Sequence, residues 1–247
     1  MTEFFDTHAH FEGSLEETRS VLSRAASAGV TRIMAVGGSD SLNNGVNLAA
    51  QAGVPGLKIW KCLGWDRDQV GKFLSPINYD GISAVGEIGL DYHYSPETRK
   101  AQLDLFAAQL DVAQAGNLPV VIHTRDADDD TLGVLKEIPS RGIIHCFTES
   151  VGFCRKLLDL GFMISISGIV TFRAADNVRA AALSVPDDRL LIETDSPFLA
   201  PAPLRGKVNE PSFVVNTAKF LAELRGISLE DLAATTTQNA LNVLGEK

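Results

Sequence analysis

The chain is poor in cysteine: Cys62, Cys146 and Cys154 are the only 3 in 247 residues, and they show no paired Cys-x-x-Cys spacing. An odd, scattered set excludes a disulfide framework or a structural zinc knuckle and leaves buried thiols as the expectation. No apolar run approaches the length of a membrane span, and the start, Met-Thr-Glu-Phe-Phe-Asp, lacks the basic residues and long apolar stretch of a signal peptide. A cytoplasmic protein with no membrane role is expected. Positive charge is short as well, with 22 Lys and Arg against 31 Asp and Glu and a formal net charge of -9. Such a balance opposes non-specific attraction to a polyanion, so any nucleic-acid role requires local cations, which bound metal ions supply. No linker composition divides the chain, and residues 1–247 read as a single domain.

What is present is an ordinary soluble composition, 45% apolar and 21% charged, arranged as short β-branched segments alternating with helix-length amphipathic ones. Strands are expected near residues 4–6, 32–36, 59–63, 83–87, 119–122, 142–145, 163–166 and 190–193. Repeated βα units close into a barrel, so the fold class is α/β, a (β/α)8 TIM barrel. Helices are expected over 15–28 behind Ser14 and over 95–115, where Ser95-Pro96 reads as a cap with proline in the first turn. Two additional C-terminal helices, 211–224 and 229–244, the second introduced by Ser228 and Asp231, are expected to cover the barrel wall. Gly29, Gly116 and Gly161 follow helical patterns where a left-handed residue is often required. Prolines at 197, 201 and 203 make residues 197–205 a loop.

His8, His10, His123 and His145, four of the 5 histidines, each stand just past a short apolar run, as do Glu87 and Asp195. Imidazole nitrogens and carboxylate oxygens suit divalent first-row ions, and strand ends are where a barrel gathers a site from distant sequence. Residues at i and i+2 of an extended segment point the same way, so His8 and His10 can reach one ion together, with Asp6 a candidate to fix a ring tautomer. Glu87 sits among apolar neighbours, where a carboxylate is costly unless paired or bound to metal; it can bridge two ions, the competing reading being a salt bridge to Arg125. Asp195 can hold an ion and accept the proton of an attacking water, with Glu193 deeper as support. Zinc, magnesium and manganese all suit this mixed donor set. Trp65 offers a face for base stacking, and His93 is given no role.

Taken in order, His8-Ala9-His10, Gly86-Glu87-Ile88-Gly89-Leu90-Asp91-Tyr92, Val121-Ile122-His123, His145-Cys146-Phe147-Thr148 and Glu193-Thr194-Asp195-Ser196-Pro197 closely resemble the TatD family of metal-dependent deoxyribonucleases in the amidohydrolase superfamily. The likeness extends through Ser167–Phe172 and Arg205-Gly206-Lys207 to Asn209-Glu210-Pro211. It implies a distorted barrel, one or two divalent ions, and phosphodiester hydrolysis of DNA, often as a 3′-to-5′ exonuclease on single strands. It also implies His8, His10, Glu87 and Asp195 as ligands of a first ion and Glu87, His123 and His145 as ligands of a second, with Glu87 and Asp195 catalytic. Two departures stand out. Asp66-Arg67 replaces the family's usual His-Pro, and a carboxylate repels phosphate unless Arg67 takes over that contact; Val208 stands where many relatives carry arginine. Substrate contacts are therefore expected from Asp66, Arg67, Arg125 and Arg205, with Arg173 and Lys207 as further cations. Alternatives are a metal-dependent hydrolase of a small ester, amide or lactone, or a catalytically weak metal-binding regulatory protein. DNA is the expected partner, single strands favoured, with no protein partner indicated.

Overall fold

The computed structural model describes residues 2–246. Eight parallel strands pair in sequence order: β1 (Phe4–Ala9), β2 (Val30–Gly38), β3 (Lys58–Trp65), β4 (Ala84–Asp91), β5 (Val120–Arg125), β6 (Gly142–Ile144), β7 (Met163–Ile166) and β8 (Leu190–Ile192). Nearly every strand residue is buried on both faces, which is why the segments read as continuous apolar runs. Helices α1 (Leu15–Ser27), α2 (Asp40–Gln51), α3 (Arg99–Ala115), α4 (Asp128–Glu137), α5 (Val151–Asp159) and α6 (Asp176–Ser184) follow strands, and α7 (Val214–Arg225) and α8 (Leu229–Leu244) end the chain. This is a (β/α)8 barrel. Its distortion lies between β3 and β4, where the 3-10 turn Arg67–Gln69 and an irregular segment stand in place of a helix.

The barrel closes at the carboxyl ends of β1 and β8. The Asp195 N–H donates to the His8 carbonyl (2.9 Å) and the His10 N–H to the Ser196 carbonyl (2.8 Å). Asp6 fastens the same seam, accepting from the Thr194 N–H (2.9 Å) and the Thr194 hydroxyl (2.6 Å). Its carboxylate thus serves backbone closure; it accepts the His8 amide (3.3 Å) rather than a ring nitrogen.

Among the described residues, serine caps start four of the eight α-helices, α1, α2, α5 and α8. Ser14 and Glu17 form a reciprocal capping box on α1, and the Ser228 hydroxyl accepts the Asp231 N–H at the start of α8. Other expectations need correction. The helix placed over 95–115 begins as a 3-10 turn, Pro96–Thr98, and becomes α-helical only at Arg99; Ser95 makes no side-chain cap. Gly29 and Gly161 are left-handed (φ 91° and 89°), but Gly116 ends α3 in right-handed geometry and Asn117 takes the positive φ of 49° instead. Strands β1, β4 and β5 run beyond their expected ends, so His8, Glu87 and His123 lie inside the ladder; backbone pairing continues regardless of which side chain turns polar.

The last helix also differs from expectation. Ala240 and Val243 of α8 join the inner cluster of Phe5, Met34, Trp60, Val121, Ile143 and Leu191, so α8 plugs the amino-terminal mouth of the barrel instead of lying along its wall. Phe5 and Trp60 rings meet with centroids 4.7 Å apart, and the Trp60 indole N–H donates to the Gly245 carbonyl (2.9 Å). With that end filled, the open end is the one the ligand-type residues face. No helix among the described residues is long and apolar enough to cross a membrane.

Trp60 is 1% exposed, so Trp60→Ala is expected to lower unfolding stability by about 3–5 kcal/mol, as for other buried aromatics. Urea denaturation followed by circular dichroism measures it; a loss under about 1 kcal/mol would show that this layer is not tightly packed core.

Candidate metal centre

At the open end, Nε2 of His8 and Nε2 of His10 face each other at 3.1 Å. Oε2 of Glu87 lies 3.3 Å from the first and 3.5 Å from the second, and Oδ1 of Asp195 lies 3.8 Å and 3.7 Å away. An ion held at ~2.1 Å by tetrahedral N and O donors separates those donors by roughly 3.4 Å. The four atoms therefore have the spacing of a ligand shell. Their chemistry agrees. Nδ1–H of His10 donates to the Val36 carbonyl (2.9 Å), which turns Nε2 inward with two carboxylates; burial lowers the His10 pKa, but Glu87 and Asp195 raise it above its ordinary value. Nitrogens and carboxylate oxygens converging on a buried point are held together by positive charge between them, a proton or a metal ion.

Glu87 carries the centre into a second half. Its other oxygen, Oε1, lies 3.2 Å from Nε2 of His145 and 3.4 Å from Nδ1 of His123, and those two nitrogens are 3.3 Å apart. An outer carboxylate orients one of the two rings. Nε2–H of His123 donates to Oδ2 of Asp91 (3.0 Å), which turns Nδ1 inward. Oε1 of Glu193 stands 3.4 Å from Nδ1 of His145, outside hydrogen-bonding geometry, and accepts the Cys146 N–H at 2.7 Å. Glu193 thus lies deeper than Asp195 and behind His145. Cys146 and Asp195 both adopt positive φ (45° and 55°), an uncommon conformation for residues with side chains, as the chain turns out of β6 and β8.

Burial alone would raise Glu87, yet His145, His10 and His8 hold it well below the usual carboxylate range. Burial pushes Asp195 up to about 7, opposed by His145 and His10 and assisted by Glu87 and Glu193. His8 falls to about 4, first through burial and then through His145. The centre therefore combines one firmly ionised carboxylate with another that exchanges its proton near neutrality.

The six ligand-type residues come together, and a cavity of about 660 Å³ opens onto His10, Glu87, His123, His145 and Asp195. Asp66, Arg67 and Arg125 line it too. Arg67 is the ion-pair partner of Glu87 (3.3 Å). Arg125 instead lies over the Tyr94 ring, 4.9 Å from its centroid. Arg205 does not line the cavity; its guanidinium packs on Phe172, 3.6 Å from the ring centroid, because the loop after β8 folds it back. Trp65 is 7% exposed and its backbone is clasped by Gln109, so it presents no face for stacking. His93 pairs with Asp126 at the surface (3.0 Å).

Sequence reasoning gave no role to Asp91, although it is the next acidic residue after Glu87 on β4. Its placement depends on Gly89, where β4 runs so close to β5 that a Cβ would stand 2.0 Å from the His123 carbonyl oxygen. That glycine was the available signal. Asn209 was quoted only as part of a motif; its buried amide donates to the Thr194 carbonyl (2.9 Å) and the Phe198 carbonyl, pinning the loop beside Asp195.

The chain is similar to proteins of known sequence and structure. The family model described as TatD related DNase matches residues 5–245. The chain is 52% identical over 163 residues to "Uncharacterized metal-dependent hydrolase YcfH" of Escherichia coli K12, covering 65% of this chain and 62% of that protein. It is 37% identical over 250 residues to "Uncharacterized metal-dependent hydrolase YabD" of Bacillus subtilis, covering 96% of each. The crystal structure of YjjV, a TatD homolog from Escherichia coli K12, superposes with a TM-score of 0.84 at 26% identity, covering 99% of this chain and 98% of that one.

Because Asp195 titrates at about 7 and must lose its proton to ligate, Mn²⁺ affinity is expected to be weak at about pH 5, to rise as pH passes through neutrality, and to be accompanied by proton release. Isothermal titration in buffers of different ionisation enthalpy reads both quantities. His10→Ala should weaken binding by more than about tenfold; affinity independent of pH and unchanged in the variant would contradict this ligand set.

Proposed function

The chain belongs to the TatD family of metal-dependent hydrolases, and from that premise we propose that it is a cytoplasmic deoxyribonuclease that cleaves phosphodiester bonds of DNA, removing nucleotides from the 3′ ends of single strands. The observation that carries this reading is the double donor set meeting on Glu87, with Oε2 facing His8 and His10 and Oε1 facing His123 and His145. His8, His10, Glu87 and Asp195 would hold one divalent ion, zinc, manganese or magnesium, and Glu87, His123 and His145 would hold a second. Bound there, such ions polarise a phosphoryl oxygen and lower the pKa of a water.

The chain's own residues do the rest. Arg67 and Arg125 line the cavity beside Asp66, Glu87, Asp91 and Asp195, so bound cations would add to the positive charge a phosphodiester meets there. Asp195, at the edge of the centre and on the cavity wall, is placed to accept the proton released as water attacks phosphorus. Asp66 does not present a free charge, since Arg67 donates to both its oxygens (2.7 and 2.6 Å). Arg125, on the cavity wall and stacked on Tyr94, is placed to bind a neighbouring phosphate.

The test is stepwise shortening of a 5′-labelled single-stranded oligonucleotide. Chelator should abolish it and Mn²⁺, Mg²⁺ or Zn²⁺ restore it, and Asp195→Asn should lower kcat by about 10²–10⁴-fold with fold intact. Turnover confined to small esters or lactones would move the same chemistry to another substrate class and overturn the nuclease reading.

A further inference from the structure

Arg67 occupies a position that the donor sets alone do not explain. Its NH1 lies 3.3 Å from Oε1 of Glu87, the same oxygen that faces Nδ1 of His123 at 3.4 Å and Nε2 of His145 at 3.2 Å. The guanidinium is held there. NH1 donates to both carboxylate oxygens of Asp66, Nε lies 3.8 Å from Oδ2 of Asp91 and 3.9 Å from Oδ1 of Asp68, and the side chain is only 16% exposed. Nε has no hydrogen-bond partner of its own, so the group is fixed by charge and packing around a point inside the centre. The anchoring begins at the irregular turn after β3, where the Asp66 N–H donates to the Gly38 carbonyl (2.8 Å) and sets the direction of Asp66-Arg67.

We propose that Arg67 supplies a built-in positive charge to the second half of the centre, so that one divalent ion binds tightly among His8, His10, Glu87 and Asp195 while a second must compete with the guanidinium for Oε1 of Glu87. Donor spacing is similar in the two halves, and the first has the additional carboxylate of Asp195. Among the described residues no Lys or Arg pairs with Oε2 of Glu87 or with Asp195, whereas the second half already has a charge-assisted bond on its shared oxygen. A divalent ion entering the second half meets a like charge a few ångströms away in a buried setting, where repulsion is poorly screened. Asp66 is then the anchor that keeps the guanidinium in place: its two oxygens hold Arg67 against Glu87 rather than leaving it free to swing into solvent. Arginine suits this role because it stays charged whatever surrounds it.

The inference rests on the metal-centre reading and is independent of the substrate. Its test is equilibrium dialysis of the metal-free full chain against Mn²⁺, with bound ion counted by atomic absorption and spin coupling followed by electron paramagnetic resonance. The parent should bind one ion tightly and a second at least tenfold more weakly, with a coupled-pair signal emerging only at high Mn²⁺. Arg67→Met and Arg67→Gln should each tighten the second ion tenfold or more while leaving the first within threefold. A parent that fills both halves at matching affinity overturns the proposal without needing any variant. So does a folded variant whose second ion is no tighter, including one that loses only oligonucleotide affinity, which would make Arg67 a phosphate contact alone. A parent that binds as described yet cuts no DNA leaves this inference standing and removes the nuclease reading instead.

Discussion

Glu87 is the residue on which the centre depends. Its carboxylate is 4% exposed, inside a barrel layer where an unpaired charge is costly, and both oxygens are engaged by groups from other strands. Oε2 gathers the two histidines at the end of β1, and Oε1 gathers one histidine from β5 and one from the end of β6. Elements distant in sequence meet around one buried anion that faces ligand-type groups from each, with His10 held by the Val36 carbonyl and His123 by Asp91. Two of the four rings, His10 and His123, are oriented by hydrogen bonds that turn their other nitrogen inward.

The barrel makes such convergence possible. Parallel strands in sequence order deliver their carboxyl ends to one mouth, while α8 and the aromatic layer of Phe5 and Trp60 fill the other. The seam between β1 and β8 shares residues with the centre, since His8, His10 and Asp195 contribute both closure hydrogen bonds and inward side chains. Closure and ligand placement are therefore coupled, and Asp6 supports the metal centre through the backbone of Thr194 and His8 rather than through a ring.

Much of this was legible in the amino-acid order. Eight apolar runs gave eight strands, and the polar residues at their ends gave the ligand-type set, because burial on both faces makes the first inward polar group conspicuous. Boundaries were less legible. Ladders continue past His8, Glu87 and His123 since pairing involves backbone groups that the side-chain pattern does not report. The missing helix after β3, the plug formed by α8 and the folding back of Arg205 onto Phe172 are tertiary outcomes with no periodic signature. Asp91 was hidden because its role depends on a glycine that lets two strands approach. Arg67 was visible only as a cation next to an unusual aspartate, whereas its contact with Glu87 exists only once β3 and β4 lie side by side.

Whether these side chains enclose a divalent cation is tested most directly by anomalous diffraction from crystals grown with Mn²⁺ or Zn²⁺. A dominant peak within coordinating distance of His8, His10, Glu87 and Asp195 is the predicted result; a metal-saturated crystal with no peak there, or with ions only on surface carboxylates, would contradict it.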